Sequence, residues 1–131
     1  MRLFLLSFCL VAVTACDQSL TSPSTPLNME FVLAPGETMA IESASLAITF
    51  DGVTGDSRCP ADALCIQGGS ADVHVTALSD GSRRPHVLKT GDMKPVQHGD
   101  ATITLVALSP YPFSSRTIAP NEYRATLKVT R

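Results

Sequence analysis

Between residues 29 and 131 apolar and polar positions alternate in short runs, each closed by glycine, proline or an acidic turn. Phe31 and Leu33 alternate before Pro35-Gly36, and Met39 and Ile41 alternate with Ala40 and Glu42. Leu46, Ile48 and Phe50 share one side ahead of Asp51-Gly52. From Ala71 to Leu78, Val73, Val75 and Ala77 oppose His74, Thr76 and Leu78, and Asp80-Gly81 then reads as a hairpin turn. Val87-Leu88 predicts a short segment, and Thr102 to Leu108 a β-prone run that stops at Ser109-Pro110. In the last stretch Tyr123, Ala125, Leu127 and Val129 face one way and Arg124, Thr126, Lys128 and Thr130 the other. Period-two alternation of this kind marks a strand with one wet face. No long run has the 3.6-residue period of a helix. The pattern predicts an all-β domain over 29–131, a single immunoglobulin-like β-sandwich or small barrel of about seven strands.

The first residues break this pattern. One charge, Arg2, precedes an apolar run from Leu3 to Val13, and small residues lead to Cys16. These are the three parts of a secretory signal. The run is short of the about 20 apolar residues that a spanning helix needs. Val13-Thr14-Ala15-Cys16 resembles the bacterial lipobox. The resemblance implies cleavage before Cys16, diacylglycerol on its sulfur and an acyl group on the new amino terminus. The alternative is an ordinary signal peptide cut after Ala15. Acyl chains contribute about 0.8 kcal/mol per buried methylene, and two or more anchor stably. Residues 1–15 are thus expected to be a signal peptide, and 16–28 the lipidated cysteine and a Ser/Thr/Pro tether. At about 3.1 Å per residue that tether would extend roughly 35–40 Å. These expectations place the chain in a bacterial cell envelope, membrane-bound through Cys16, with the domain facing periplasm or exterior. Asp17 resembles the inner-membrane retention signal of enteric bacteria.

Composition narrows the partners. Without residues 1–15 the chain has 116 residues, nine Lys plus Arg and twelve Asp plus Glu, a net charge of about −3. Basic residues are scattered, so neither a nucleic-acid footprint nor a polybasic lipid patch is expected. Trp is absent and aromatics are few. Such a thin core favours a covalent staple. With Cys9 in the leader and Cys16 lipidated, Cys59 and Cys65 remain. An oxidising compartment and an even remainder predict their disulfide. Five intervening residues do not match the Cys-x-x-Cys redox spacing.

The densest stretch is Asp56-Ser57-Arg58-Cys59-Pro60, continuing to Cys65-Ile66-Gln67-Gly68-Gly69. Pro60 restricts Cys59 to extended backbone, Asp62 can accept backbone N–H bonds in a turn, and Gly68-Gly69 permits backbone angles closed to other residues. The chain here resembles a group of small bacterial secreted and lipid-anchored proteins with an Asp-Ser-Arg-Cys-Pro motif and a second Cys six residues after the first. The similarity runs from about Gly36 to the C-terminus, including Ile118-Ala119-Pro120-Asn121-Glu122-Tyr123. It implies fold and cellular context but no chemistry. Many members follow the second Cys with a Val-Trp-Ala-Gly-like run, where this chain has Ile66-Gln67-Gly68-Gly69.

Two readings of Asp56 and Arg58 stand side by side. They form an exposed recognition pair, because a guanidinium fork suits a carboxylate or phosphate, or they pair internally and cap the loop. Tyr111, Phe113 and Arg116 lie in a proline-rich segment that cannot be a central strand. They are either a contact surface for an envelope protein partner or a cap on the sandwich end. Catalytic signals are missing: no Gly-x-Ser-x-Gly elbow, no free cysteine, acids scattered over turns. His74, His86 and His98 are the candidate metal ligands, but without His-x-His or Cys-x-x-His spacing. No cofactor is expected. The primary expectation is a non-enzymatic binding or structural module. An envelope metal-binding protein using the three histidines is the alternative, and a small hydrolase a further one.

Overall fold

The computed structural model describes residues 22–131. The leader, Cys16 and the first half of the tether lie outside the described residues. Among the described residues nine strands form two sheets: β1 (Ser24–Thr25), β2 (Glu30–Leu33), β3 (Thr38–Ile41), β4 (Leu46–Thr54), β5 (Asp72–Ser79), β6 (Ser82–Lys89), β7 (Val96–His98), β8 (Ala101–Ser109) and β9 (Arg124–Thr130). One sheet has the order β1-β3-β4-β5-β6, the other β2-β9-β8-β7. The chain starts in the second sheet with β2, crosses to build the meander β3 to β6, and returns to build β7 to β9. Antiparallel pairing of β9 with β2 (Phe31 opposite Leu127) then joins the end of the domain to its beginning. The architecture is the expected all-β sandwich, and it does not close into a barrel.

The core follows from the alternation. Ile48 and Phe50 on β4, Val73, Val75 and Ala77 on β5, and Leu127 and Val129 on β9 are buried between the sheets. Leu33 on β2 and Ile103 and Leu105 on β8 join Leu127 and Val129 on the second sheet's inner face, opposite the β4 and β5 residues. A bulge between Leu105 and Ala107 shifts the alternation by one residue. Leu108 therefore turns inward and Ala107 outward, as an extra residue in one strand requires.

Three elements differ from the sequence pattern. β6 is longer than Val87-Leu88 predicts and runs through Pro85. It is an edge strand, where a residue without an N–H costs no ladder bond. β7 is only three residues long, too short for periodicity to show. The tether prediction is corrected at its C-terminal end. Ser24 and Thr25 pair in parallel with Ala40 and Ile41, Thr25 is buried, Leu27 packs against the core, and the Asn28 N–H donates to the Val129 carbonyl at 2.9 Å. Polar composition hid this docking, because a two-residue strand on a sheet edge needs backbone partners rather than apolar side chains.

The strand directions define two ends. Turns 42–45, 80–81 and 99–100 lie at one, here the lower end. Segments 55–71, 90–95 and 110–123 lie at the upper end, which is where the special residues of the sequence collect.

Candidate functional site

Asp56 and Arg58 lie in the extended segment that leaves β4. Extended backbone points every second side chain the same way, so the two share a face while Ser57 turns to the other. Ser57 there binds Ser70: its N–H donates to the Ser70 carbonyl at 2.9 Å, and its hydroxyl to the same oxygen at 2.9 Å. Gly69 is explained at this contact. Neither Gly68 nor Gly69 has positive φ, so the freedom the pair permits is not used in that way. Instead, a Cβ on Gly69 would sit 1.6 Å from the Ser57 carbonyl oxygen.

Arg58 is 8 % exposed. Its Nε and one terminal nitrogen donate to both oxygens of Asp56 at 2.8 and 2.7 Å. Its other N–H groups reach the carbonyls of Leu108 at 2.8 Å and Pro110 at 3.1 Å. Four of the five guanidinium donors are thus committed to the interior. The Tyr123 hydroxyl donates to Asp56 at 3.0 Å, and the Tyr111 ring lies over the guanidinium with its centroid at 5.5 Å, within cation–π range. Hydrogen bonds from Arg58 hold the Asp56 carboxyl below the usual carboxylate range, against an opposing effect of burial. The same pair raises the Arg58 pKa, and burial followed by the hydrogen bond to Asp56 raises that of the Tyr123 phenol. The pair is an internal hub that ties the 55–71 segment to the end of β8 and the start of β9. It presents no free fork to a ligand.

Two loops are mounted on this hub. Cys59 and Cys65 are joined, sulfurs 2.06 Å apart, as the cysteine count predicts. Within that ring the Ala61 N–H donates to the Pro112 carbonyl at 2.9 Å. Asp62 accepts from the Ser114 N–H at 2.8 Å and from its hydroxyl at 2.5 Å. Those bonds, the hydroxyl first, hold the Asp62 carboxyl below its ordinary range. Arg116 closes the second loop by pairing with Glu122, and the Arg116 N–H bonds the Phe113 carbonyl. A seven-residue ring has no interior, so Leu64 and the adjoining Ile66 are fully exposed, each at 105 %. Tyr111 and Phe113 are half exposed, at 55 % and 52 %. Phe113 therefore does not fold back as a cap, and Tyr111 covers Arg58 with one face only. Beneath them a cleft of about 300 Å³ runs between Arg58, Gly69, Met93, Leu108 and Tyr111.

The three histidines do not converge. His74 alternates with buried Val73 and Val75, so it points out of the sheet and pairs its Nε2 with the Thr54 hydroxyl at 2.7 Å. His86 stands opposite Val75 on β6 and shares the inward face. Its Nε2 lies 3.1 Å from Nδ1 of buried His98, whose Nε2 lies 2.8 Å from the Ser79 hydroxyl. Among the described residues no three His, Cys, Asp or Glu side chains are placed to share a metal ion. Ser79, His98 and His86 form a hydroxyl–imidazole–imidazole chain, but catalytic use of such a chain needs a group that stabilises imidazolium. Here a second imidazole, not a carboxylate, faces His98. The arrangement is a polar bridge between edge strands of the two sheets.

Burial first, then the neighbouring His98 and Arg84, lowers the His86 pKa. A histidine easier to protonate unfolded than folded destabilises the fold as pH falls from its unfolded value, about 6.5, toward its lowered folded one. Urea midpoints are therefore expected to fall below about pH 6.5, and His86→Gln is expected to flatten that limb. An unchanged slope in the variant would contradict the assignment.

Tyr123 was visible in the sequence only as a core position; its hydroxyl has no local signal. Leu64 and Ile66 carry the signal of a short disulfide ring, which leaves apolar side chains nowhere to turn. No protein-family model, curated protein or solved structure matches this chain.

Proposed function

We propose that this chain is a lipid-anchored, non-enzymatic binding module of the bacterial cell envelope, held by acylated Cys16 and displaying the upper end of its sandwich. The anchor rests on Val13-Thr14-Ala15-Cys16 at the close of an apolar leader. The binding role rests on one observation: fully exposed Leu64 and Ile66 on a loop that a disulfide and an Asp62–Ser114 clamp hold rigid. Exposed apolar side chains on braced backbone lose little conformational entropy on contact, which favours binding. The docked Ser24–Thr25 segment leaves six residue steps between Cys16 and Ser22, a reach of about 22 Å at most. The head therefore stays close to the surface that anchors it.

The test is a Cys16→Ser chain expressed in a lipoprotein-processing bacterium. The parent is expected in the membrane fraction, and the variant in the soluble envelope fraction with unchanged circular dichroism. Continued partition of the variant with membranes would overturn the anchor.

A further inference from the structure

We propose that His86 and His98 form a two-nitrogen site for a soft monovalent metal ion, Cu(I), held in line between Nε2 of His86 and Nδ1 of His98 where edge strands of the two sheets meet. The site uses none of the upper-end residues and does not depend on the anchor.

Geometry carries the proposal. The ring centroids are 5.3 Å apart and the facing nitrogens 3.1 Å, which leaves 2.2 Å, one imidazole radius at each end. Both nitrogens therefore lie on the line between the ring centres, each with its in-plane electron pair or N–H aimed at the other. The ring planes stand 85° apart, so the rings do not crowd an ion that enters between them. Metal–imidazole bonds of about 2 Å ask for about 4 Å between the nitrogens, so the 3.1 Å contact must open by about 1 Å. The strands are free to part that far, because β6 and β7 belong to different sheets and share no ladder.

The donor set selects the ion. Among the described residues no third His, Cys, Asp or Glu side chain completes it. Two nitrogens in line do not satisfy Zn²⁺, which takes four ligands in structural sites, and they offer no oxygen to Ca²⁺ or Mg²⁺. Imidazole suits copper, and filled-shell Cu(I) accepts two collinear donors. Val75 opposite His86, Ala101 opposite His98 and Leu88 beside them are buried and apolar, which favours a low coordination number over a hydrated ion. Arg84 is the neighbouring cation, and it repels a single charge half as strongly as a double one. Asp80 lines the same cavity as Arg84 and His98, about 240 Å³, and offsets that repulsion. This cavity gives the ion its route to His98. Ser79 completes the arrangement: Nε2 of His98 lies 2.8 Å from its hydroxyl, and a ligating histidine is oriented by such a bond to its other nitrogen. With the ion in place, the His98 proton sits on Nε2 and the His86 proton on Nδ1. Both rings stay neutral and no proton is released.

The test titrates the full chain, purified in detergent, anaerobically with Cu(I) in ascorbate against the chelator bicinchoninate. One Cu(I) per chain is expected to be retained, with the X-ray absorption spectrum of a two-coordinate ion bound by nitrogen. His86→Gln and His98→Gln are each expected to abolish retention, and His74→Gln to leave it unchanged. Ser79→Ala keeps both ligands and is expected to weaken retention about tenfold or more, the range for loss of a partner that orients a ligand. A folded parent that yields all its Cu(I) to the chelator would overturn the site. So would full retention by both the His86 and His98 variants, or displacement of Cu(I) by an equal concentration of Zn²⁺. The parent's spectrum decides even where a variant fails to fold, because sulfur scatterers there would place the ion elsewhere and sink the proposal.

Discussion

Replacing Arg58 with Ala is expected to lower the unfolding free energy by about 3–5 kcal/mol, the range for removing one partner of a buried ion pair. The side chains of Arg58 and Asp56 are only 6 % and 13 % exposed. Without the guanidinium, the Asp56 carboxylate keeps only the Tyr123 hydroxyl and the Arg58 N–H as donors. The Leu108 and Pro110 carbonyls lose their donor as well. A domain of this size has a total stability of about 5–15 kcal/mol, so the variant should sit near its unfolding threshold. Arg58→Lys is expected to recover only part of the loss, because an ammonium cannot make two parallel bonds to a carboxylate and also span two carbonyls.

Acid separates the electrostatic part. The folded Asp56 carboxyl titrates below its unfolded value, so its contribution is present above about pH 4 and is lost as pH falls through the lowered folded value. In Arg58→Ala that carboxyl loses the main cause of its low pKa, and its acid limb should move to higher pH. Urea unfolding followed by circular dichroism across the acid range measures both effects. A midpoint loss under about 1 kcal/mol, the range of exposed pairs, would show that the hub is not buried in solution.

Removing the disulfide with Cys59→Ala and Cys65→Ala is expected to cost about 2–2.5 kcal/mol, the loop-entropy value for a seven-residue ring. The effect should be local as well as global. The ring carries the Ala61–Pro112 and Asp62–Ser114 bonds that brace the proline loop. Hydrogen exchange at the Ala61 and Ser114 amides is expected to accelerate more than exchange along β8 and β9, where the ladder does not depend on the ring. Uniform acceleration everywhere would show that the ring supports the whole fold and not its upper end.

The two effects are linked through the display of the tip. Arg58 fixes the base of the 55–71 segment, and the disulfide fixes its turn. A variant that loosens either should weaken whatever the exposed residues contact, even where none of those residues has changed.

How much of this was legible depends on how local each cause is. Alternation in β4, β5 and β9 is local, and each face it predicts is the face that is buried. Pairing of Cys59 with Cys65 followed from counting cysteines after the leader. The two-residue spacing of Asp56 and Arg58 permitted a pair, yet left open whether it faced solvent or the interior. That choice lies with Leu108, Pro110 and Tyr123, which are 50, 52 and 67 residues away in the chain. The histidines show the same limit. Alternation alone sends His74 outward, but His86 meets His98 only because edge strands of different sheets come together.

What the sequence alone determined is therefore the longer alternating strands, their buried faces, the all-β class and the cysteine pairing, because each arises from neighbours along the chain or from a count. Only the tertiary structure decided that Arg58 is a hub rather than a recognition residue, and that the tether docks from Ser24 onward. It also decided that Gly69 serves a close approach rather than a turn angle, and that Leu64, Ile66, Tyr111 and Phe113 stand together at one end. The physical reason is common to all four. Each depends on backbone carbonyls, hydroxyls and packing surfaces contributed by distant segments, and such partners exist only once the two sheets have closed on one another.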